Sequence, residues 1–198
     1  MNFTIVLAGF FLLQCLQPGE AVLGKPAPTC LEQMGAADTT IKWSPGRKLT
    51  HADFKQALRD SSLLFRHKKI AVEAYSKVGI VYEPVMKGKR LEILVYAAFD
   101  PAGSWISREA GPSTLQHEQA HFDIAEIYAR KLSAAMLDMK LSTDSPSFWE
   151  LFLKKYEEIN KAHLEEQHKY DEYALTQLGS EFYLNKIASA LKEEVPAN

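Results

Sequence analysis

The pattern of apolar residues changes once along the chain, close to Pro112, and this change constrains the fold more than any other feature. Before it, the segment Ile70–Phe99 is rich in β-branched and aromatic residues with a period of two, interrupted by a turn at Met86–Arg90. After it, apolar residues recur at helical spacing from Leu115 to Met139. Strands followed by helices predict an α+β protein, in which a small N-terminal antiparallel β-sheet precedes a helical part.

Start and stop signals place the elements of the first half. The stretch Ile41–Trp43 predicts an edge strand, and Thr50 with Asp53 three residues later predicts a capping box that opens a short helix to about Leu58. The segment Asp100–Trp105 contains Pro and Gly, so we expect the returning strand of the hairpin to end there.

Similar signals divide the second half. Ser145-Pro146 predicts a helix start, and one long helix is expected from there to about Gln177, with a break at Gly179 and a final short helix. Residues 25–40 are rich in Pro, Ala, Gly and Thr and predict a flexible lead-in, whereas residues 41–192 have the length of a single domain.

Residues 1–24 differ in composition from the rest of the chain. An uncharged apolar run from Phe3 to Leu16 is followed by small residues. This run is too short to span a bilayer and is typical of a signal-peptide core, so we expect cleavage after Ala21 or Gly24, a secreted or periplasmic product and no transmembrane segment in it. Cys15 offers lipid anchoring as the alternative.

The sequence HEQAH at residues 117–121 lies in the first half of the predicted helix. Histidines four residues apart project from the same side of a helix, and each can give one nitrogen to a zinc ion at about 2.0–2.1 Å. Glu118 could take a proton from the water that the metal activates. The alternative is a polar helix face that has this order by chance. Because apolar neighbours indicate burial of this face, two unpartnered histidines would be costly, and we predict zinc ligation by His117 and His121.

A catalytic zinc site needs a third protein ligand. Asp123 and Glu126 point away from the histidines at helical spacing, so the ligand is expected from the long helix that packs back. Three of its residues are candidates, namely His163, Glu166 and Asp171.

Four stretches together resemble one known family. They are WSPGRKLTHADF from Trp43, the pair Ser104-Trp105, LQHEQAHFDIAEIYARKL from Leu115, and QHKYDEY around Tyr170. These stretches are similar to the bacterial domain of unknown function 922 family, whose members are predicted secreted zinc-dependent proteases. The resemblance covers roughly residues 41–190, and the HEQAHFDIAE stretch is its most specific part.

The resemblance implies roles for individual residues. It assigns His117 and His121 to zinc and Glu118 to the general base, within a zincin-like metallopeptidase domain. The Tyr170-Asp171 pair matches a later motif of the family and favours Asp171 as the third ligand. The family usually continues with a histidine that this sequence lacks, so Glu166 and His163 stay open as alternatives.

The sequence thus predicts an exported zinc metallopeptidase that acts on a peptide or protein substrate. Two other functions stay open: a non-catalytic envelope protein that binds a metal or a partner, and a metal-dependent amidase acting on cell-wall material. The net charge of −2 makes nucleic acid an unexpected partner.

Two further expectations concern substrate binding. The strand Leu91–Phe99, if it lies at the sheet edge, would hold an extended peptide by β-addition. Tyr128 or Tyr170 would stabilise an oxyanion, although a packing role in the core is the simpler interpretation of either tyrosine.

Overall fold

The computed structural model describes residues 39–55, 73–88, 90–139 and 147–193. These ranges form a mixed structure of three strands and three α-helices, which confirms the α+β prediction. The elements in chain order are β1 (Ile41–Lys42), β2 (Ala74–Lys87), β3 (Arg90–Ile106), α1 (Pro112–Met139), α2 (Phe148–Ala174) and α3 (Gln177–Lys192). The predicted signal peptide and nearly all of the lead-in lie outside the described residues.

The three strands form one antiparallel sheet in the order β1-β3-β2. Strands β2 and β3 make the predicted hairpin, and β1 confirms the short strand expected at Ile41–Trp43 by pairing Ile41 with Phe99. The condition that Leu91–Phe99 lies at the sheet edge is met only in part. Strand β2 pairs along the whole segment on one side, whereas on the other side β1 pairs with Ala98 and Phe99 among the described residues. Among the described strands, β1 and β2 lie at the two ends of this order.

The predicted end of the hairpin at Asp100–Trp105 is also wrong, because β3 continues through it to Ile106. The Pro and Gly of this segment are accommodated in an irregular, bulged part of the β2–β3 ladder. There the Asp100 carboxylate accepts hydrogen bonds from the backbone N–H groups of Ala102 at 3.0 Å and Gly103 at 3.1 Å. A side chain therefore satisfies backbone donors that the bulge removes from the ladder.

The capping box at Thr50 is present, and the Asp53 carboxylate accepts from the Thr50 N–H at 2.7 Å. The helix that it opens is a single 3₁₀ turn, His51–Asp53, so the expected continuation to Leu58 is wrong at residues 54–55, while 56–58 lie outside the described residues. Phe54 is extended and packs edge-on against Phe99 at 5.1 Å between ring centroids. This core contact explains why the local helix preference is overridden.

The long C-terminal helix ends at Ala174, short of the expected Gln177, and the break does not occur at Gly179. Instead Thr176 is the N-cap of α3, and its side chain accepts from the Gly179 N–H at 3.0 Å. A Cβ atom on Gly179 would lie 2.2 Å from the carbonyl oxygen of Tyr173. Glycine is therefore needed for the close approach of α2 and α3, not for a helix break.

Helix α1 is the centre of the structure, since it contacts β2, β3, α2 and α3. Residues 117–125 of this helix are all buried, in line with the sequence pattern, whereas Pro112, Ser113 and Gln116 near its start are exposed. None of the described helices has both the length and the apolarity needed to cross a bilayer. The main core joins residues of the sheet and of all three helices, namely Ile80, Tyr82, Ile93, Ala120, Ile124, Tyr128, Ala129, Leu132, Phe148, Phe152, Tyr170, Tyr183 and Ile187.

Candidate metal centre

The two histidines of HEQAH lie side by side on the buried face of α1. His117 is 6% exposed and His121 is 4% exposed. Their rings meet edge to face with centroids 4.7 Å apart, and their Nε2 atoms are 3.0 Å apart. The helix therefore presents two imidazole nitrogens at one point, as their spacing of one turn predicts.

Helix α2 brings Asp171 to the same point. Its Oδ1 atom lies 3.2 Å from Nε2 of His117 and 3.1 Å from Nε2 of His121. Within the described ranges, these three buried residues form a group that could hold a metal ion. Of the three candidates for a third ligand, the structure brings Asp171 to the histidine pair.

The spacing of the three ligand atoms fits a tetrahedral metal ion. Two atoms bound to one zinc ion at tetrahedral angles lie about 3.3 Å apart, and the three separations here are 3.0, 3.1 and 3.2 Å. Asp171 Oδ1 is buried and meets no donor other than the two histidine nitrogens among the described residues. Three atoms at this spacing need a shared cation, either a proton on a histidine or a metal ion, and a metal ion would require little movement of the side chains.

The electrostatics of the group follow from this close approach. Burial lowers the pKa of His121, but the charge of Asp171 and hydrogen bonds to Asp171 and Gln167 outweigh burial and raise it to about 9. Burial raises the pKa of Asp171, but the charge of His121 and hydrogen bonds to both histidines lower it to about 2. Asp171 is therefore an anion at neutral pH and draws positive charge into this site.

Glu118 lies beside this group and is not part of it. It is 0% exposed, and its Oε2 accepts a hydrogen bond from the Ser76 hydroxyl of β2 at 2.5 Å. Its Oε1 is buried with no hydrogen-bond partner among the described residues. One oxygen is thus held by β2, and the other is buried without a described partner. Ser76 could not be singled out from the sequence, because a serine in an alternating strand carries no signal of such a contact.

On α2, Gln167 is hydrogen-bonded to His121, and His163 is hydrogen-bonded to Gln167. Gln167 Oε1 is hydrogen-bonded to Nδ1 of His121. Its amide nitrogen donates to the backbone carbonyl of His121 at 3.0 Å and to Nε2 of His163 at 2.8 Å. His163 therefore contacts Gln167 rather than the metal-binding group. Gln167 gave no signal in the sequence, because its role depends on how α2 packs against α1.

Glu166, the remaining candidate ligand, is engaged elsewhere. Its Oε1 accepts from the Tyr183 hydroxyl at 2.8 Å and from the Lys186 amine at 2.5 Å. It lines a cleft of about 410 Å³ together with Tyr128, Lys131 and other residues of α1 and α3. None of the four residues His117, Glu118, His121 and Asp171 lines this cleft, so it is separate from the metal-binding group.

The two tyrosines proposed for the oxyanion have different surroundings. The Tyr170 ring stacks on His117 with centroids 4.8 Å apart and meets His121 edge-on at 5.2 Å. Burial, with the charges of Glu118 and Asp171, raises the pKa of the Tyr170 phenol. Tyr128 packs near His163, with centroids 5.8 Å apart. These contacts give Tyr170 a packing role against the ligand rings.

The remaining carboxylates of the HEQAHFDIAE stretch point away from the histidines, as expected. Glu126 pairs with Arg130 at 2.9 Å, and Asp123 accepts a hydrogen bond from the Trp43 indole at 2.7 Å. Arg130 also lies over the Trp43 ring, 5.2 Å from its centroid. The WSPGRKLT segment is therefore attached to the side of α1 that lies away from the metal-binding group.

Comparisons with protein-family models, with curated proteins and with solved structures found no match to this chain.

Proposed function

We propose that this chain is a zinc-dependent metallopeptidase of the domain of unknown function 922 family, with a zincin-like domain. The observation that carries the proposal is the combination of three ligand atoms 3.0–3.2 Å apart with a buried carboxylate oxygen of Glu118 that has no partner among the described residues. Catalytic zinc sites have three protein ligands and leave a position for water, whereas structural sites are closed by four.

In this proposal the chain's own residues have distinct tasks. His117, His121 and Asp171 hold the ion, which supplies Lewis acidity and lowers the pKa of water toward ~7. Glu118 Oε1 accepts a proton from the attacking water and later delivers it to the leaving amine. Ser76 holds the other carboxylate oxygen, so that Oε1 keeps one orientation during both transfers.

The layout of the sheet supports a peptide as substrate. Ser76, which contacts Glu118, belongs to β2, and β2 is the outer strand of the described order β1-β3-β2. An extended peptide can add to such an edge through backbone hydrogen bonds. We therefore assign the peptide-binding role to β2 rather than to the segment Leu91–Phe99, because β2 contacts Glu118 through Ser76.

The test compares wild type with Glu118→Gln and His121→Ala. Zinc content and hydrolysis of a mixed peptide library are measured for each protein. We expect about one zinc per chain in wild type and Glu118→Gln, a loss of zinc in His121→Ala, and a fall in hydrolysis of at least about 100-fold in both variants. Full peptidase activity of Glu118→Gln, or wild type that takes up no zinc from excess metal, would refute the proposal.

The burial of the group favours one other function, a metal site that stabilises the fold without catalysis. All three ligands are at most 6% exposed. In that case wild type would bind zinc but hydrolyse neither the peptide library nor cell-wall fragments, and Glu118→Gln would leave every measured property except stability unchanged. Including cell-wall fragments in the assay also tests the amidase alternative.

Export is part of the proposal and is supported by the apolar run Phe3–Leu16 and the small residues that follow it. The N-terminal residue of the protein recovered from the medium or the periplasm checks it. We expect the recovered chain to begin at Val22 or Lys25, and recovery of the whole chain in the cytoplasm would contradict export.

A further inference from the structure

Helix α2 carries more than one residue toward the metal-binding group. His163, Gln167 and Asp171 follow one another at intervals of four residues, which places them on one face of the helix. All three are buried, at 1%, 5% and 4% exposure. Only Asp171 reaches the two Nε2 atoms, so the other two residues need a separate explanation.

The contacts of Gln167 bear on the chemistry of His121. A neutral imidazole carries its proton on one nitrogen, and only the other nitrogen can bind a metal. Gln167 Oε1 accepts from Nδ1 of His121, which keeps the proton on Nδ1 and leaves the Nε2 lone pair to the ion. The opposite amide orientation would place an N–H₂ group against Nδ1 and favour the wrong tautomer.

The backbone carbonyl of His121 and the ring of His163 together determine which way the Gln167 amide points. The carbonyl, which can only accept, lies 3.0 Å from the amide nitrogen, and Nε2 of His163 accepts from the same nitrogen at 2.8 Å. Nδ1 of His163 is buried without a partner among the described residues, and burial lowers the pKa of this ring. With both acceptors on the nitrogen side, the amide oxygen must face Nδ1 of His121.

We propose that Gln167 is a positioning residue for the metal site, that its amide orientation is imposed by the His121 carbonyl together with His163, and that Gln167 in this orientation fixes the tautomer of His121. The hydrogen bonds that join His163 to Gln167 and Gln167 to His121 are called the relay below. This inference rests on the proposed metal site. It adds the residues that orient His121 for the ion, and removing a hydrogen-bond partner of a metal ligand typically changes metal affinity by about 10–100-fold.

The test uses full-length Gln167→Met, which conserves volume but cannot accept from the imidazole N–H, and His163→Leu. The control is His168→Leu, which alters an exposed histidine of the same helix. Zinc affinity is measured by competition with a chelator. We expect the dissociation constant to rise about 10–100-fold in Gln167→Met, by less in His163→Leu, and not at all in the control. His163→Leu should have no further effect in the Gln167→Met background, since the relay is already broken there.

A spectroscopic readout separates positioning from loss of packing. With ¹⁵N-labelled histidine, zinc-loaded wild type should show a slowly exchanging proton on Nδ1 of His121, and Gln167→Met should lose it. Unchanged zinc affinity and an unchanged Nδ1 proton in Gln167→Met would overturn the inference. If Gln167→Met does not fold, Gln167→Asn, whose amide is too short to reach, must show the same losses.

Different experimental results would refute the relay and the proposed function. Wild type without zinc affinity would refute the metal site. The relay is then tested in the zinc-free protein at a pH at which the ¹⁵N shifts show a neutral His121 ring, where the Nδ1 proton must be present in wild type and absent in Gln167→Met. Its presence in both proteins would refute the relay on its own.

Discussion

Asp171→Asn is the most direct test of the metal-binding group. The substitution keeps the shape of a side chain that is 4% exposed and removes its charge. Asp171 supplies the single anionic vertex of the three ligand atoms, 3.2 Å and 3.1 Å from the two imidazole nitrogens. An amide oxygen can occupy the same place but is a much weaker zinc ligand than a carboxylate. Removing a hydrogen-bond partner of a ligand lowers metal affinity by up to about 100-fold, so we expect the loss of a ligand itself to lower zinc affinity by at least about 100-fold.

This loss of affinity translates into a change in thermal stability. At free zinc of about 100 times the wild-type Kd, binding stabilises the folded state by about 2.7 kcal/mol. For chains of 150–250 residues each kcal/mol moves Tm by about 2–4 °C, so wild type should gain about 5–11 °C. With Kd raised about 100-fold, the same zinc concentration contributes about 0.4 kcal/mol, or roughly 1–2 °C.

The assay is a zinc titration followed by thermal unfolding, with the metal-free form of each variant as its own reference. Glu172→Gln is the matched control, since Glu172 is the exposed neighbour of Asp171 on the same helix. The control should show the full zinc-dependent gain in Tm. A zinc-dependent gain in Asp171→Asn equal to that of wild type would refute the assignment of Asp171 as a ligand.

Two predictions concern residues around the site. Gln119→Ala should destabilise the protein by about 1–3 kcal/mol, measured by urea unfolding, because the buried Leu49 N–H loses its acceptor at 2.8 Å; the exposed Gln116→Ala is the control, and equal effects would contradict the argument. Burial raises the pKa of Glu166, but hydrogen bonds, first that from Lys186, lower it below its usual value. A carboxyl group whose pKa is lower in the folded state stabilises the protein above its unfolded-state pKa, and this stabilisation is lost as pH falls through the folded-state pKa. Wild type should therefore lose more stability than Glu166→Gln between about pH 6 and pH 3. Parallel pH profiles of the two proteins would contradict that account.

The local features of the site were predictable from sequence because they depend on one helix. The spacing of His117 and His121 and the apolar residues that follow determine that both imidazoles share a buried face of α1. The proposed third ligand, Asp171, comes from another element, and spacing along the chain could only propose it beside His163 and Glu166. Its proximity to the histidines depends on the crossing of α1 and α2, which no local pattern encodes.

The missed features arise from specific contacts that override residue propensities, two of them local, at Asp100 and Gly179, and one between helices, at Gln167. The strand β3 continues past Pro101 because the Asp100 side chain satisfies the backbone of the bulge. Position 179 is a glycine although it lies inside a helix, because the backbone of Tyr173 leaves no room for a Cβ atom there. Gln167 carries no motif at all, and its contacts arise from the packing of α2 behind His121.

The distribution of the ligands over two helices has a consequence for the order of events in maturation. His117 and His121 come together as soon as one turn of α1 forms, but Asp171 joins them only when α2 has packed against α1. A nascent or unfolded chain therefore offers an incomplete, two-nitrogen site to any ion that it meets. If the proposed site binds zinc, tight retention of the metal would begin with helix packing, and the rate of metal uptake would report on the last step of folding.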